Sequence, residues 1–279
     1  MDSALAPELS VHELNQTSID SWDTNAKYWD SYMGSDGNDF YQLLELPALE
    51  RLVDLHEGEH VLDLATGNGL VARRMAELGG IVTATDISAA MLDCARERTT
   101  AEEGKRVIYE FLDVTKEEEV ENFVKEHDYF NAITMNMGIM DVATLEPLAA
   151  ALPHLLQENG RFVATILHPT FMNSGSSRNI SMGENGNTGQ METKYSISVE
   201  RYLKIPPARA EALDGQPAPQ VLFHRPLQDL FRPFFRHGLM LDGLEEPSFT
   251  SGYDKKKIES YYNFPQIPPI LAFRLRKTK

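Results

Sequence analysis

The run HVLDLATGNGLVARRMAELGGIVTATD, from His60 to Asp86, restricts the possible folds of this chain more than any other stretch. Val61 to Ala65 is a short apolar run of the kind that forms a buried strand, and Thr66-Gly67-Asn68-Gly69 breaks it with turn residues. Leu70, Val71, Met75 and Leu78 then fall on one side of a helix, with Arg73, Arg74 and Glu77 on the other. Gly79-Gly80 ends that helix, and Ile81 to Thr85 forms a second, β-branched strand that stops at Asp86. The unit is βαβ. Gly67 and Gly69 remove the Cβ atoms that would hold a ligand off the backbone, and the helix start offers unpaired N–H groups. Asp86, at the tip of the neighbouring strand, can accept hydrogen bonds from ribose hydroxyls. An adenosine-type ligand is expected. Gly67, Gly69 and Ala72 also satisfy the G-x-G-x-x-G/A pattern, so a nicotinamide or flavin dinucleotide stays open at this point.

The chain has 279 residues, enough for one large α/β domain with insertions. Its net charge of −16 repels phosphate backbones and anionic lipid, so neither nucleic acid nor a membrane surface is an expected partner. Lys255-Lys256-Lys257 is the one basic run, and it reads as a solvated surface turn. Cys94 is the only cysteine, which rules out a disulfide within the chain and suits a reducing, cytoplasmic setting. It reads as a buried thiol on a helix with Met91 and Ala95. No stretch of about 18 consecutive apolar residues occurs.

Along the chain, residues 1 to about 20 show no period and read as a mobile lead-in with room for a short helix. Trp22, Ala26, Trp29 and Met33 recur at helical spacing over Ser21 to Met33, and Phe40, Leu43, Leu44 and Leu46 begin a second helix that runs around Pro47 to about Leu55. Both helices either pack on the sheet or, through Tyr28, Trp29, Tyr32 and Met33, form a lid. Ser88 caps a helix to about Thr99, and further strands are expected at Val107 to Leu112, Tyr129 to Met135 and Arg161 to Leu167. Asp113 closes the third strand, where it either meets an adenine or caps the next helix, Lys116 to Val124. From Thr170 to Gln220 the order is lost. The polar run MNSGSSRNISMGENGNTGQ predicts a flap, with Tyr195 to Tyr202 pairing with Val221 to Phe223 as a short hairpin. Pro226 opens a helix that His237-Gly238 ends, Leu239 to Glu246 is a strand, and Pro268 to Leu275 is the last.

The expected fold is therefore α/β: a Rossmann-like, seven-stranded, mostly parallel sheet with helices on both faces and a C-terminal antiparallel hairpin. One domain is expected over 1–279, divided into an N-terminal helical lid (1–55), a cofactor-binding core (56–168), a flap inserted after the fifth strand (169–223) and the C-terminal part of the core (224–279).

VLDLATGNG at 61–69, TATDIS at 83–88, FLDV at 111–114, the NMGIMD loop after the fourth strand and ENGRFVATI at 158–166 resemble the class I S-adenosylmethionine-dependent methyltransferases. The W-x6-W segment at Trp22 and Trp29, with HRPL at 224–227 and LEEP at 244–247, looks like a subgroup of stand-alone small-molecule methyltransferases. The resemblance implies S-adenosylmethionine as cofactor. It brings Gly67 and Gly69 to the methionine part, with Asp63 near the loop and the amino group, Asp86 on the ribose, Ile87 on an adenine face, and Asp113 with Val114 at the adenine edge. Asn136 and Met137 would lie near the sulfonium, and Trp29, Ala65, Asn68 and Met91 complete the implied cofactor set. The implied activity is methyl transfer to a small metabolite by a monomer or homodimer. A non-catalytic methyltransferase-like binding subunit and a nicotinamide-dependent oxidoreductase are the alternatives.

For an acceptor that must lose a proton, a group with a pKa near the working pH is needed, and histidine suits best. His168, at the end of the fifth strand, comes first for position, and His224 beside Arg225 second; Asp141 and Glu246 are carboxylate alternatives. No His and carboxylate spacing suggests a metal, so metal-independent chemistry is expected. The missing N-P-P-Y or D-P-P-Y run argues against amino methylation of nucleic-acid bases.

Overall fold

The computed structural model describes residues 10–250, 254 and 256–277; the expected lead-in over 1–9 and Lys255 lie outside the described residues. Side chains alternate across a strand, so each strand of the βα array feeds two cores. Val61, Val82, Ala132 and Val163 face one side of the sheet, whereas Leu62, Leu64, Ile133 and Phe162 face the other. The strands are β1 (His60–Leu64), β2 (Ile81–Asp86), β3 (Val107–Phe111), β4 (Phe130–Asn136), β5 (Leu156–Leu167), β10 (Leu239–Glu245) and β11 (Ile270–Lys277), with β6 to β9 in the flap. Their order is β10-β11-β5-β4-β1-β2-β3. The first five are parallel, and β11 runs antiparallel to both β5 and β10. The expected seven-stranded, mostly parallel sheet with its C-terminal hairpin is thus the fold.

Helices α2 (Leu46–Val53) and α3 (Leu70–Glu77) cover one face of this sheet. Helices α5 (Glu117–Glu126), α6 (Glu146–Leu155) and α7 (Leu227–Arg236) cover the other. Helix α4 (Ala89–Arg98) is capped by Ser88, whose Oγ accepts from Met91 N at 3.1 Å. Because β1 lies between β2 and β4, the chain leaves β1 in opposite directions across the sheet, and the C-terminal ends of β1 and β4 form the crevice at which such folds bind ligands.

Two expectations need correction. The N-terminal helix α1 spans Val11–Met33 rather than starting at Ser21. A capping box starts it: Ser10 Oγ accepts from Glu13 N at 3.3 Å and Glu13 Oε2 accepts from Ser10 N at 2.8 Å. Its early turns carry no apolar stripe because the buried positions there, Asn15, Ser18 and Ser21, are polar and bond to neighbouring loops. In the flap, Tyr195 to Val199 does not pair with Val221. Strand β6 (Ser176–Glu184) pairs with β7 (Met191–Val199), and β8 (Ala208–Ala210) pairs with β9 (Gln220–Leu222). The polar run hid a strand because most of β6 is exposed, which removes the hydrophobic alternation that marks a strand. Its turn is local: Asn185 Oδ1 accepts from Asn187 N at 2.9 Å, and Gly189 takes φ 68°.

Candidate active site

The glycine loop is held from below by a carboxylate. Asp63 is almost wholly buried and accepts from Thr66 Oγ1 at 2.6 Å and Thr134 Oγ1 at 2.7 Å, tying the loop to β4. Burial pushes its carboxyl up to about 6. Ala65 (φ 52°), Gly67 (φ 57°) and Gly69 (φ 81°) are all left-handed, so the backbone turns sharply at the end of β1. The two glycines serve different ends. A Cβ on Gly67 would meet nothing within 4 Å, so this residue faces open space. A Cβ on Gly69 would lie 2.6 Å from Tyr109 Oη and 2.9 Å from Arg73 Nη1, so Gly69 answers to packing inside the protein. Asp86 accepts from Gly67 N and from Ser88 N, both at 2.8 Å, and burial raises its carboxyl to about 6. Ile87, between Asp86 and Ser88, is half-buried.

Helix α1 closes over this edge. Asn68 Nδ2 donates to Asp30 Oδ1 and to Gly34 O, each at 3.1 Å, and Ser88 Oγ donates to Asp23 Oδ1 at 2.5 Å. Met91 packs with Ala26, Trp22 and Trp29, whose indoles meet edge to face at 5.2 Å. Asp113 is fully buried: one oxygen takes Thr115 N and Oγ1, at 2.9 and 2.6 Å, and the other takes Asn15 Nδ2 at 3.0 Å. Val114 is buried beside it. Asp113 thereby joins the turn before α5 to α1. Asp141 accepts Ser18 Oγ on its carbonyl at 3.1 Å, while its side-chain Oδ1 is buried without a partner among the described residues. Burial, with the charge of Asp86 added, holds the Asp141 carboxyl well above the usual range against a hydrogen bond from Trp22.

At the end of β4, Asn136 Oδ1 accepts from Thr165 Oγ1 at 2.6 Å and Asn136 Nδ2 donates to Glu45 Oε2 at 2.9 Å. Met137 (φ 52°) donates its N–H to Thr165 O at 3.1 Å. Sequence reasoning missed Glu45. Pro47 cannot donate to Leu43 and its ring crowds that carbonyl, and just upstream the helix widens into a π turn, Tyr41–Glu45, that buries Glu45. Burial pushes this carboxyl up to about 7. The one available signal was an acid inside the apolar run LLELP.

The two candidate histidines have separate hydrogen-bond partners. His168 is buried, accepts from Thr170 N on Nδ1 at 3.2 Å and therefore donates Nε2–H to Glu246 Oε1 at 2.9 Å. Both nitrogens are committed, and burial lowers its pKa. His224 donates Nε2–H to Tyr202 O at 2.6 Å, which leaves the Nδ1 lone pair available. Burial lowers its pKa, with Arg225 adding to the effect against the Tyr202 carbonyl, so it is neutral at pH 7. It lines a cavity of about 350 Å³ with Met140, Ile166, Leu167, Phe171 and Phe223. That cavity opens off the end of β5, at Ile166 and Leu167, and the turn after β4, at Met140.

Residues 61–160 match the family model for a methyltransferase domain. The chain is 33% identical over 112 residues to the ubiquinone/menaquinone biosynthesis C-methyltransferase UbiE of Zymomonas mobilis, covering 40% of this chain and 44% of that one. It is 30% identical over 158 residues to a ubiquinone biosynthesis O-methyltransferase of Pasteurella multocida, covering 54% and 64%. The match thus spans less than two thirds of these curated relatives. An S-adenosylmethionine-dependent methyltransferase from Mesorhizobium loti superposes with a TM-score of 0.64 at 22% identity, over 88% of this chain and all of that one. Residues 61–160 thus match a methyltransferase domain, and the sheet around them has the fold of S-adenosylmethionine-dependent methyltransferases.

Proposed function

We propose that the chain transfers a methyl group from S-adenosylmethionine to a small-molecule acceptor. The observation that carries this reading is the crevice at the ends of β1, β2 and β4: a glycine loop open at Gly67 faces Asp86 under the lid helix. The residues present fit the cofactor, because Gly67 leaves space in front of the loop and Asp141 keeps an unpartnered buried oxygen near Asp86. When bound, the cofactor supplies an electrophilic methyl group on a sulfonium. Gly67 would meet its methionine part, Asp86, Ile87 and Met91 its adenosine part, Val114 its adenine edge, and Asn136 with Met137 the end near the reacting carbon. Asp63 and Asp113 support this set through Thr66 and Asn15. The relatives act in quinone biosynthesis by their names, on carbon in one case and oxygen in the other. That range supports a small acceptor in the cavity beside His224.

Alignment of acceptor and methyl group at about 3–3.5 Å accounts for much of such catalysis. His224 is the proposed proton acceptor, because its Nδ1 is free and the ring is neutral at pH 7. His168 is proposed as a positioning residue that fixes Glu246 and the start of the flap. His224→Ala should lower the single-turnover rate on a hydroxyl or amine acceptor by about 10²–10³-fold and leave cofactor binding unchanged. The cofactor class is tested by thermal unfolding with S-adenosylhomocysteine, NAD and NADP. At about 100 times its dissociation constant, S-adenosylhomocysteine should stabilise the fold by about 2.7 kcal/mol, a rise of about 5 °C or more, and Asp86→Ala should abolish the rise. A rise with NAD or NADP alone would overturn the reading.

A further inference from the structure

The cavity beside His224 has a charge pattern opposite to that of the whole chain. Net charge is −16, yet Arg178, Arg209 and Arg225 line this cavity and, among the described residues, no aspartate or glutamate does. Elsewhere Arg51, Arg74, Arg98, Arg161 and Arg274 each meet a carboxylate. The three cavity arginines meet only neutral groups among the described residues. Arg225 donates to Val142 O at 2.6 Å, Ala143 O at 3.1 Å and Ile139 O at 3.2 Å. Burial without a counter-charge pushes its guanidinium down to about 10. Arg178 donates to Glu259 O at 2.6 Å and lies 4.6 Å over the Tyr261 ring. Arg209, on β8, is exposed and lines the cavity.

Resting on the methyltransferase reading of this site, we propose that the acceptor is a small acid: an apolar body seated on Met140, Phe171 and Phe223, with an oxyanion held by Arg178 and Arg209 beside Arg225. A guanidinium matches a carboxylate or phosphate-type oxyanion with paired hydrogen bonds, and an anion there supplies the missing counter-charge. A cationic acceptor meets like charge and is disfavoured, so the arginines select by repulsion as well as attraction. A volume of about 350 Å³ lies at the small end for ligand sites and suits one ring with a short chain. Two of the arginines sit on the flap, so acceptor choice resides in the insert and cofactor binding in the core.

Isothermal titration of the full chain, with and without S-adenosylhomocysteine, tests this with four probes of one shape: 4-phenylbutyrate, 4-phenylbutylphosphonate, 4-phenylbutyramide and 4-phenylbutylamine. At least one acid should bind about tenfold tighter than the amide, with the amine weakest, and the two acids show which oxyanion the arginines prefer. In the double variant R178Q/R209Q the acid preference should shrink to about twofold, while the unfolding temperature and S-adenosylhomocysteine affinity stay unchanged. Equal binding of acid and amide, tightest binding of the amine, no measurable heat with either acid, or full preference in the double variant would each overturn the proposal. S-adenosylhomocysteine binding without an acid preference removes only the acid assignment. An acid preference without S-adenosylhomocysteine binding removes the methyltransferase reading and leaves an anion-binding cavity.

Discussion

Four carboxyls, those of Glu45, Asp63, Asp86 and Asp141, are buried and raised above their ordinary range. For Glu45 the folded value of about 7 exceeds the ordinary 4.5, so its contribution to stability is fully present below about pH 4.5 and is lost as pH rises through 7. Glu45→Gln removes the ionisation and keeps an acceptor for Asn136. Between pH 4.5 and 8, wild type should lose about 2–3 kcal/mol relative to this variant, read from urea unfolding at each pH. Gly69→Ala forces a left-handed φ of 81° on a residue with a Cβ that collides with Tyr109 and Arg73, and should destabilise by about 2 kcal/mol or more in the same assay. Gly67, Gly69 and Asp86 were legible in the sequence because turn chemistry and strand ends are local. Glu45 was not, since its one local signal, an acid in the apolar run LLELP, does not say which distant group it meets.

Among the elements, α1 differs most from its sequence signature. Polar side chains clamp it between the cofactor edge and the flap return: Asn25 Nδ2 donates to Ala218 O at 2.7 Å, Asn25 Oδ1 accepts from Ala218 N at 2.9 Å, and Tyr28 Oη donates to Asp214 O at 2.5 Å. Asn25→Ala leaves two backbone groups of Ala218 without these partners and should destabilise by about 1–2 kcal/mol. Hydrogen exchange should speed up over 212–220 and stay unchanged in the amides of β1 and β4. The Trp22, Ala26, Trp29, Met33 stripe correctly marked the second half of α1, which packs on apolar side chains. Its first half and the β6–β7 hairpin lacked a period because one buries polar groups and the other buries little.

At the scale of the whole molecule, an acidic chain surrounds one cavity lined with arginines. Self-repulsion from a charge of −16 opposes compaction, so raising sodium chloride from about 0.02 to 0.5 M should raise the unfolding midpoint while weakening acid binding in the cavity. Opposite trends in the same titration would separate the global field from the local one. The alternation of strands and helices, the seven-stranded sheet and the turn at Gly67 and strand end at Asp86 were determined by the sequence alone, because period and turn chemistry act within a few residues. The tertiary structure decided which polar groups meet across the chain: Asn136 with Glu45, Asn15 with Asp113 and Asn25 with Ala218, separated by 91, 98 and 193 residues. It also decided that three arginines from the flap and its return face one cavity with no acid among them. Such pairings carry no local period, since they depend on where distant segments are packed once the sheet has formed.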